Sequence, residues 1–385
     1  MINVSITNTE KDFYTALTNA INGTGVRLIA PGDCVLIKPN LVEPAHPNSG
    51  QITNPYVIEA VARYCLEYGA KSVIIGEGPS YYQPQSHLRD CFTHTGVSDV
   101  AKKLGIEWIL FDEHEYRVFR DISDCTPPEF RITEFAFNCD KFINLPVLKT
   151  HWLTRVTLAM KNLKGCLKRE DKPLFHRIDL PRAVVELSKI IKPTINIIDC
   201  TPNTIVRQMS TSYYNPKNEK SIGKLLIAST DIVAADTVGS ALMGIDPADV
   251  DTITLGAKAG LGENNLTRIN ISGDDLKQLK FKVSLPQEQL QQSFPLLEIT
   301  GADKACSGCL IPLISSLLFL AERNAKLSYP LQICLGNNPK VVENKTCLLV
   351  GDCAQIKDNN ELNRITGCPP NREVIFNTLT KYISY

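Results

Sequence analysis

The sequence carries no surplus of either charge: Lys and Arg together number 41, and so do Asp and Glu. A nucleic-acid binder normally shows a clear basic excess, and electrostatic docking on an anionic membrane needs one as well. Both partner classes are therefore excluded for the chain as a whole, and any local basic cluster is substrate-sized. Long apolar runs are missing too. The longest, CLIPLISSLLFLA at 309–321, is too short to span a bilayer and contains two serines, so it predicts a buried helix. The N-terminal stretch MINVSITNTEKDFYTALTNA lacks the basic stretch followed by an apolar run that a secretory signal requires. These absences together predict a soluble, cytoplasmic protein with no nucleic-acid or membrane partner. There is no G-x-G-x-x-G and no Walker A sequence, hence no dinucleotide or P-loop signature. No internal repeat or low-complexity tract occurs either.

Cysteine is the residue type in excess. The 13 cysteines are an odd number, and a chain of 385 residues builds a core without disulfides, so a reducing compartment fits better than a disulfide framework.

The apolar pattern is that of an α/β fold. Short Val/Ile/Leu runs at 33–40, 71–78, 106–113, 139–146, 195–200 and 224–230 read as strands. They alternate with helical patterns at 53–69, 99–105, 181–191, 230–244 and 246–260. Thr53 is a candidate N-cap for the helix that opens at Pro55. Such alternation predicts a largely parallel, buried sheet with flanking helices. The division expected is an α/β domain over 1–295 and a small C-terminal α/β unit over 300–385. In the latter a helix (309–322) precedes strands at 331–336, 346–353 and 364–368 and a final helix at 372–383.

Four cysteines stand where metal ligands would stand. Cys306 and Cys309 form C-x2-C, while Cys353 in VGDCA and Cys368 in TGCPP each lie just past an apolar strand. Parallel strands share one carboxyl edge, which brings Cys353 and Cys368 together, and the C-x2-C loop ahead of a helix can close over the same edge. A zinc ribbon uses two tight pairs, whereas here 14 residues (354–367) separate the second two cysteines. Iron–sulfur clusters accept scattered ligands, and a Pro directly after the last Cys, as in Cys368-Pro369, recurs at their sites. The expected cofactor is a 4Fe–4S cluster, with zinc as the alternative. Cys65, Cys200, Cys334 and Cys347 lie inside apolar segments and read as inert core thiols.

Polar residues gather at strand ends in the first unit. IKPN supplies Lys38 and Asn40, LPVLKTH supplies Lys149 and His151, and MKNLKG supplies Lys161, Asn162 and Lys164. Ligands of open α/β sheets bind beyond the carboxyl ends of the strands, so this set suits an anion such as a carboxylate or phosphate. The assignment expected is Lys38, Asn40, Asn162 and Lys164 for binding, with His151, Lys149 and Lys161 catalytic. Glu77 and Ser80 could line the same edge, Asp199 could orient a lysine or histidine, and His176 is a further acid–base candidate.

The stretches VLIKPNLV, TNPYVIEAVARYCLEYGAKSVIIGEGPS, FINLPVLKTHWLTRVTLAMKNLKGCL, INIID and LLIASTDIVAADTVGSALMGIDP, in that order over roughly 33–262, together resemble the Domain of Unknown Function 362 family. Some members of that family carry iron–sulfur motifs, commonly a bacterial-ferredoxin-type run. This sequence departs from them, having no C-x2-C-x2-C-x3-C-P, and the scattered Cys306, Cys309, Cys353 and Cys368 look like a subgroup with a single-cluster C-terminal unit. The resemblance implies an iron–sulfur centre and a pocket at Lys38, Lys149, His151, Lys161 and Asn162, and names no substrate.

Three functions follow as expectations. The first is an iron–sulfur oxidoreductase acting on a small anionic substrate; the chain has no flavin or nicotinamide motif, so an external electron donor such as a ferredoxin would serve it. The second is a non-redox lyase or sulfur-transfer enzyme with an open iron site held by three of the cysteines. The third is a non-enzymatic protein whose metal staples the small unit.

Overall fold

The computed structural model describes residues 2–81, 84–201, 224–342, 345–355 and 363–384. Its centre is an eight-stranded sheet in the order Ile269–Gly273, Ile2–Asn8, Leu225–Ser229, Ile195–Cys200, Lys141–Asn144, Cys34–Lys38, Ser72–Glu77, Glu107–Leu110. Leu225–Ser229 runs antiparallel to both of its neighbours, and every other pairing is parallel.

The near-continuous apolar strands follow from burial on both faces. Side chains alternate across the sheet, so Val35 and Ile37 join one core cluster while Leu36 joins the other. The first cluster takes the apolar faces of the helices Phe13–Gly23, Pro55–Glu67 and Val97–Leu104. The second takes those of Leu180–Ile190, Ile232–Leu242 and Asp251–Lys258. Each fully buried Leu, Ile or Val in these layers contributes about 1.5–3 kcal/mol.

The last quarter forms a second sheet, Leu297–Thr300, Leu331–Cys334, Thr346–Val350 and Asn363–Ile365, with all pairings parallel. The helices Ser307–Glu322 and Arg372–Leu379 pack on it around a third apolar cluster. The apolar run at 309–321 is thus a buried helix, and no helix among the described residues is long and apolar enough to cross a membrane.

Two local readings change. The helix opening at Pro55 is capped by Asn54, whose side chain accepts from the Tyr56 N–H, rather than by Thr53. Thr53 instead accepts from the Asn40 N–H (2.8 Å) and donates to the Leu145 carbonyl (2.7 Å), tying two strand ends together. Asp199 orients no lysine or histidine among the described residues. Its carboxylate accepts from the Asn54 N–H and from the N–H and hydroxyl of Thr201.

Candidate active site and four-thiol centre

Beyond the carboxyl ends of the central parallel strands lies a cavity of ≈ 100 Å³. Its floor is a ladder of buried amides that adjacent strands bring into register: Lys38 pairs with Asn144, and Asn144 with Asn196. The Asn40 amide donates to Asn162 Oδ1 (2.9 Å), that of Asn162 to Asn144 Oδ1 (2.8 Å), and that of Asn144 to Asn196 Oδ1 (2.8 Å). A buried amide left unpaired costs about 1–3 kcal/mol, so this chain of donors and acceptors holds one arrangement.

Lys38 belongs to the floor and is not among the cavity-lining residues, contrary to a direct substrate-binding role. Its Nζ donates to Glu77 Oε2 (2.8 Å), the Pro39 carbonyl (2.9 Å) and Asn162 Oδ1 (3.4 Å), and it is 0% exposed. Glu77 also accepts from the N–H groups of Leu41 and Gly78. Any side chain at Gly165 would collide with both Glu77 Oε1 and Lys38 Nζ, so only glycine lets the Lys161–Lys164 segment settle this closely on the ion pair.

The other predicted residues do face the cavity. Lys149 and His151 lie on the strand Lys149–His151, which forms a hairpin with Arg155–Thr157. Lys149 Nζ donates to Asn40 Oδ1 and to the Gln51 carbonyl, each at 2.7 Å. His151 Nδ1 accepts from the N–H groups of Leu153 (3.0 Å) and Thr154 (3.2 Å). In the neutral ring that leaves Nε2 carrying the proton, so His151 is a hydrogen-bond donor before it is a base. Lys161 and Lys164 sit on the turns Ala159–Asn162 and Leu163–Cys166, and neither side-chain amine makes a hydrogen bond or ion pair among the described residues. Tyr81, Lys172 and His176 also line the cavity.

Burial shifts these groups toward neutrality. It lowers Lys149 to about 8, against the attraction of Glu43 and Glu77. Lys164 falls to about 7, chiefly through burial and then through Lys172. Lys161 lies well below the usual lysine range, from burial and then from Lys164 and Lys149. Burial and the nearby lysines likewise hold His151 and His176 well below the ordinary histidine value.

Three contributors escape sequence reasoning. Asp236, an acid inside an apolar helix, accepts from the N–H groups of Ala159 (2.6 Å) and Met160 (3.2 Å) and so anchors the turn that bears Lys161 and Asn162. Its one signal is a carboxylate within IVAADTV. Lys172 donates to the carbonyls of Gly78 (2.8 Å) and Pro79 (2.9 Å), fixing the loop that carries Tyr81. Thr157 faces Lys149 across the hairpin with a buried hydroxyl that has no partner among the described residues. Nothing in the sequence marks either of these two.

The four cysteines meet beside this cavity. Cys306 is the N-cap of the helix Ser307–Glu322 and Cys309 lies one turn on. Cys353 and Cys368 follow the parallel strands Thr346–Val350 and Asn363–Ile365 on their common carboxyl edge. Cys309 feels both Cys353 and Cys368, and Cys353 feels Cys306 and Cys368. The Cys306 thiol is pulled down to about 5 by the hydrogen bond from Cys309, against its burial, with further help from the Tyr81 hydroxyl and the N–H groups of Gly308 and Cys309. The same hydrogen bond drives Cys309 upward. Arg177 Nη2 lies 3.8 Å from Cys368 Sγ.

These residues fit a cluster. The donors are all thiols and a cation stands by. Gly351 (φ +87°) brings bare backbone to Cys309, where a Cβ would sit 2.6 Å from its Sγ. Among the described residues no group of three or more His, Cys, Asp or Glu side chains is placed to hold a lone metal ion.

The two sites share a wall. Tyr81 and Ile311, the latter on the Cys306 helix, both line the cavity. The Tyr81 hydroxyl accepts from the Gly308 N–H (2.5 Å) and hydrogen-bonds to Cys306, and Lys164 is within electrostatic reach of Cys306.

The chain is an α/β protein with a polar cavity at the carboxyl edge of its central sheet, the edge where open sheets of this class bind ligands. The family model described as "Domain of unknown function (DUF362)" matches residues 35–241, and the chain belongs to that family. That match covers the cavity residues up to the helix Ile232–Leu242 and stops short of the four cysteines. A thylakoid-associated protein of Synechocystis sp. is 28% identical over 289 residues, covering 74% of this chain and 82% of its own. The lactate racemase apoprotein of Thermoanaerobacterium thermosaccharolyticum matches 62% of this chain and 57% of its own length at 12% identity, with a TM-score of 0.36, too low to carry an argument.

Proposed function

We propose that this protein is an iron–sulfur enzyme, an oxidoreductase, that acts on a small anion held in the lysine-lined cavity. The observation that carries the reading is the wall shared by Tyr81 and the helix Ser307–Glu322, with four cysteines on one side and the cavity on the other. Cys306, Cys309, Cys353 and Cys368 would hold a 4Fe–4S cluster, which when bound supplies one-electron transfer. Lys161 and Lys164 draw in the anion, and Lys149, braced by Asn40, fixes its far side. His151 Nε2–H donates to a substrate oxygen and steadies developing negative charge there. His176, neutral and lining the same cavity, takes or returns a proton. An external carrier such as a ferredoxin delivers electrons. Thirteen free thiols suit a reducing, cytoplasmic setting.

Anaerobic purification tests this. Brown protein with about four irons per chain, bleached by dithionite, is the expected result; colourless protein with stoichiometric zinc refutes it. A second reading, an open-iron lyase or sulfur-transfer enzyme, is favoured by the exposure of Cys368, the other three thiols being at least half-buried. Retention of the cluster by Cys368→Ala and its loss in the three remaining Ala variants would select that reading.

A further inference from the structure

We infer that the anionic group is a compact, doubly charged oxyanion of roughly five heavy atoms, and not a monocarboxylate; this deepens the anion-site reading above and rests on it.

Size is the first argument. The cavity is ≈ 100 Å³, and a cavity of about 150 Å³ is filled by benzene, with its six heavy atoms. A nucleotide, a sugar phosphate or an aromatic acid exceeds that space and seats only its anionic group there, with the remainder in the open mouth.

Charge is the second. Lys38 is paired with Glu77. Lys149 is faced by Glu43, and Lys172 by Asp112 and Glu77. Lys161 and Lys164 are left: among the described residues Lys161 feels Lys164 and Lys149, and Lys164 feels Lys172 and the Cys306 thiol. Burial favours the neutral amines, so two amines on one small buried space are both held as ammonium only with two negative charges beside them.

The third argument is the hydrogen-bond inventory. Among the described residues, the Lys161 and Lys164 amines and the Thr157 hydroxyl face the cavity without a hydrogen-bond partner, and His151 presents Nε2–H. Asn40 Oδ1 is spent on Lys149, and Asn162 Oδ1 on Lys38 and the Asn40 amide. The amines, the Thr157 hydroxyl and His151 Nε2–H call for a ligand made of acceptors, with several oxygens around one central atom, while the Glu43 carboxylate on the same wall faces Lys149. A carboxylate offers two oxygens on one side and would leave the opposite donors unmet.

The test uses sulfate and perchlorate, two tetrahedral anions of nearly the same size that differ by one charge. Perchlorate sheds water more easily, so a merely greasy or weakly basic pocket prefers it. Calorimetric titration of the full-length, anaerobically purified protein near pH 6.5 should show sulfate binding at least roughly tenfold tighter than perchlorate. Lys161→Gln and Lys164→Gln should each weaken sulfate by roughly tenfold or more and shrink the sulfate preference to a few-fold, while the exposed-surface variant Lys277→Gln changes nothing. If perchlorate binds as well as sulfate and both variants weaken the two anions equally, the anion site stands and the divalent assignment is wrong. If neither anion binds the wild type, both the assignment and the anion-site reading fall. The wild-type comparison needs no variant, so misfolding of a lysine variant cannot rescue the proposal.

Discussion

Replacing Glu77 by Gln tests the floor of the cavity directly. Glu77 and Lys38 are 2% and 0% exposed and 2.8 Å apart. Gln keeps the shape and can keep its amide oxygen on the Lys38 ammonium beside the Pro39 carbonyl and Asn162 Oδ1, but it leaves that ammonium buried with no counter-charge. One of the two Glu77 oxygens that now accept the Leu41 and Gly78 N–H groups becomes a donor facing a donor. Removing one partner of a buried pair costs about 3–5 kcal/mol. Lys38→Met should cost less, about 2–3 kcal/mol, because the stranded carboxylate keeps its two backbone donors and Lys172 nearby. The double variant, with no buried charge at the position, should lie well below the sum, giving a coupling of about 2 kcal/mol or more. Urea denaturation followed by circular dichroism reads all four stabilities. A Glu77→Gln cost under about 1 kcal/mol, or a coupling near zero, would refute the claim that this pair is desolvated and structural.

Three further outcomes follow from the same geometry. Sulfate affinity should fall as pH rises from about 6.5 to about 9, and binding should take up protons, because Lys149 and Lys164 have values of about 8 and about 7 in the empty cavity and charge when the anion arrives; the groups facing them are Glu43, Glu77, Lys38, Lys161, Lys172, His151, His176 and Cys306, with Arg372 behind Glu43. Calorimetry in buffers of different ionisation enthalpy measures the uptake, and a pH-independent affinity contradicts it. Burial raises Asp236 to about 7 from an ordinary 3.8, so the folded state binds the extra proton between those values and wild-type stability falls, relative to Asp236→Asn, as pH rises from about 4 to about 7, by roughly 4 kcal/mol in all; parallel stability–pH curves for the two proteins would sink this. Gly351→Ala places a Cβ against Cys309 Sγ at a left-handed backbone position, and should lower iron content at least several-fold while leaving sulfate binding within about twofold, measured by iron assay and titration on the same preparation.

Much of this was legible in one dimension. Apolar runs bounded by turn residues mark the buried parallel strands, because a strand covered on both faces has no polar side to alternate with. The lysines and asparagines stand out because they interrupt such runs at their ends, where open sheets bind ligands. The same logic misread Lys38. From sequence it resembles Lys149, each being a lysine just after an apolar run, and the difference is Glu77, which arrives from the next strand and consumes its charge. Thr53 was misread because an adjacent Asn54 reaches the helix N-terminus with a better-placed oxygen. Thr157 lies on a hairpin whose three-residue strands are too short to show any period.

The sequence by itself determined the family, the α/β pattern and the inventory of polar and thiol groups, since these depend on residue type and short-range order. Only the tertiary structure decided which of those groups face one another. It paired Lys38 with Glu77, left Lys161 and Lys164 without a counter-charge, held the proton of His151 on Nε2 through two backbone N–H groups, and set Tyr81 between the cavity and Cys306. Each of these is a contact between segments or a backbone turn whose electrostatics depend on burial and on distances of a few ångströms, and neither quantity is written in the order of the residues.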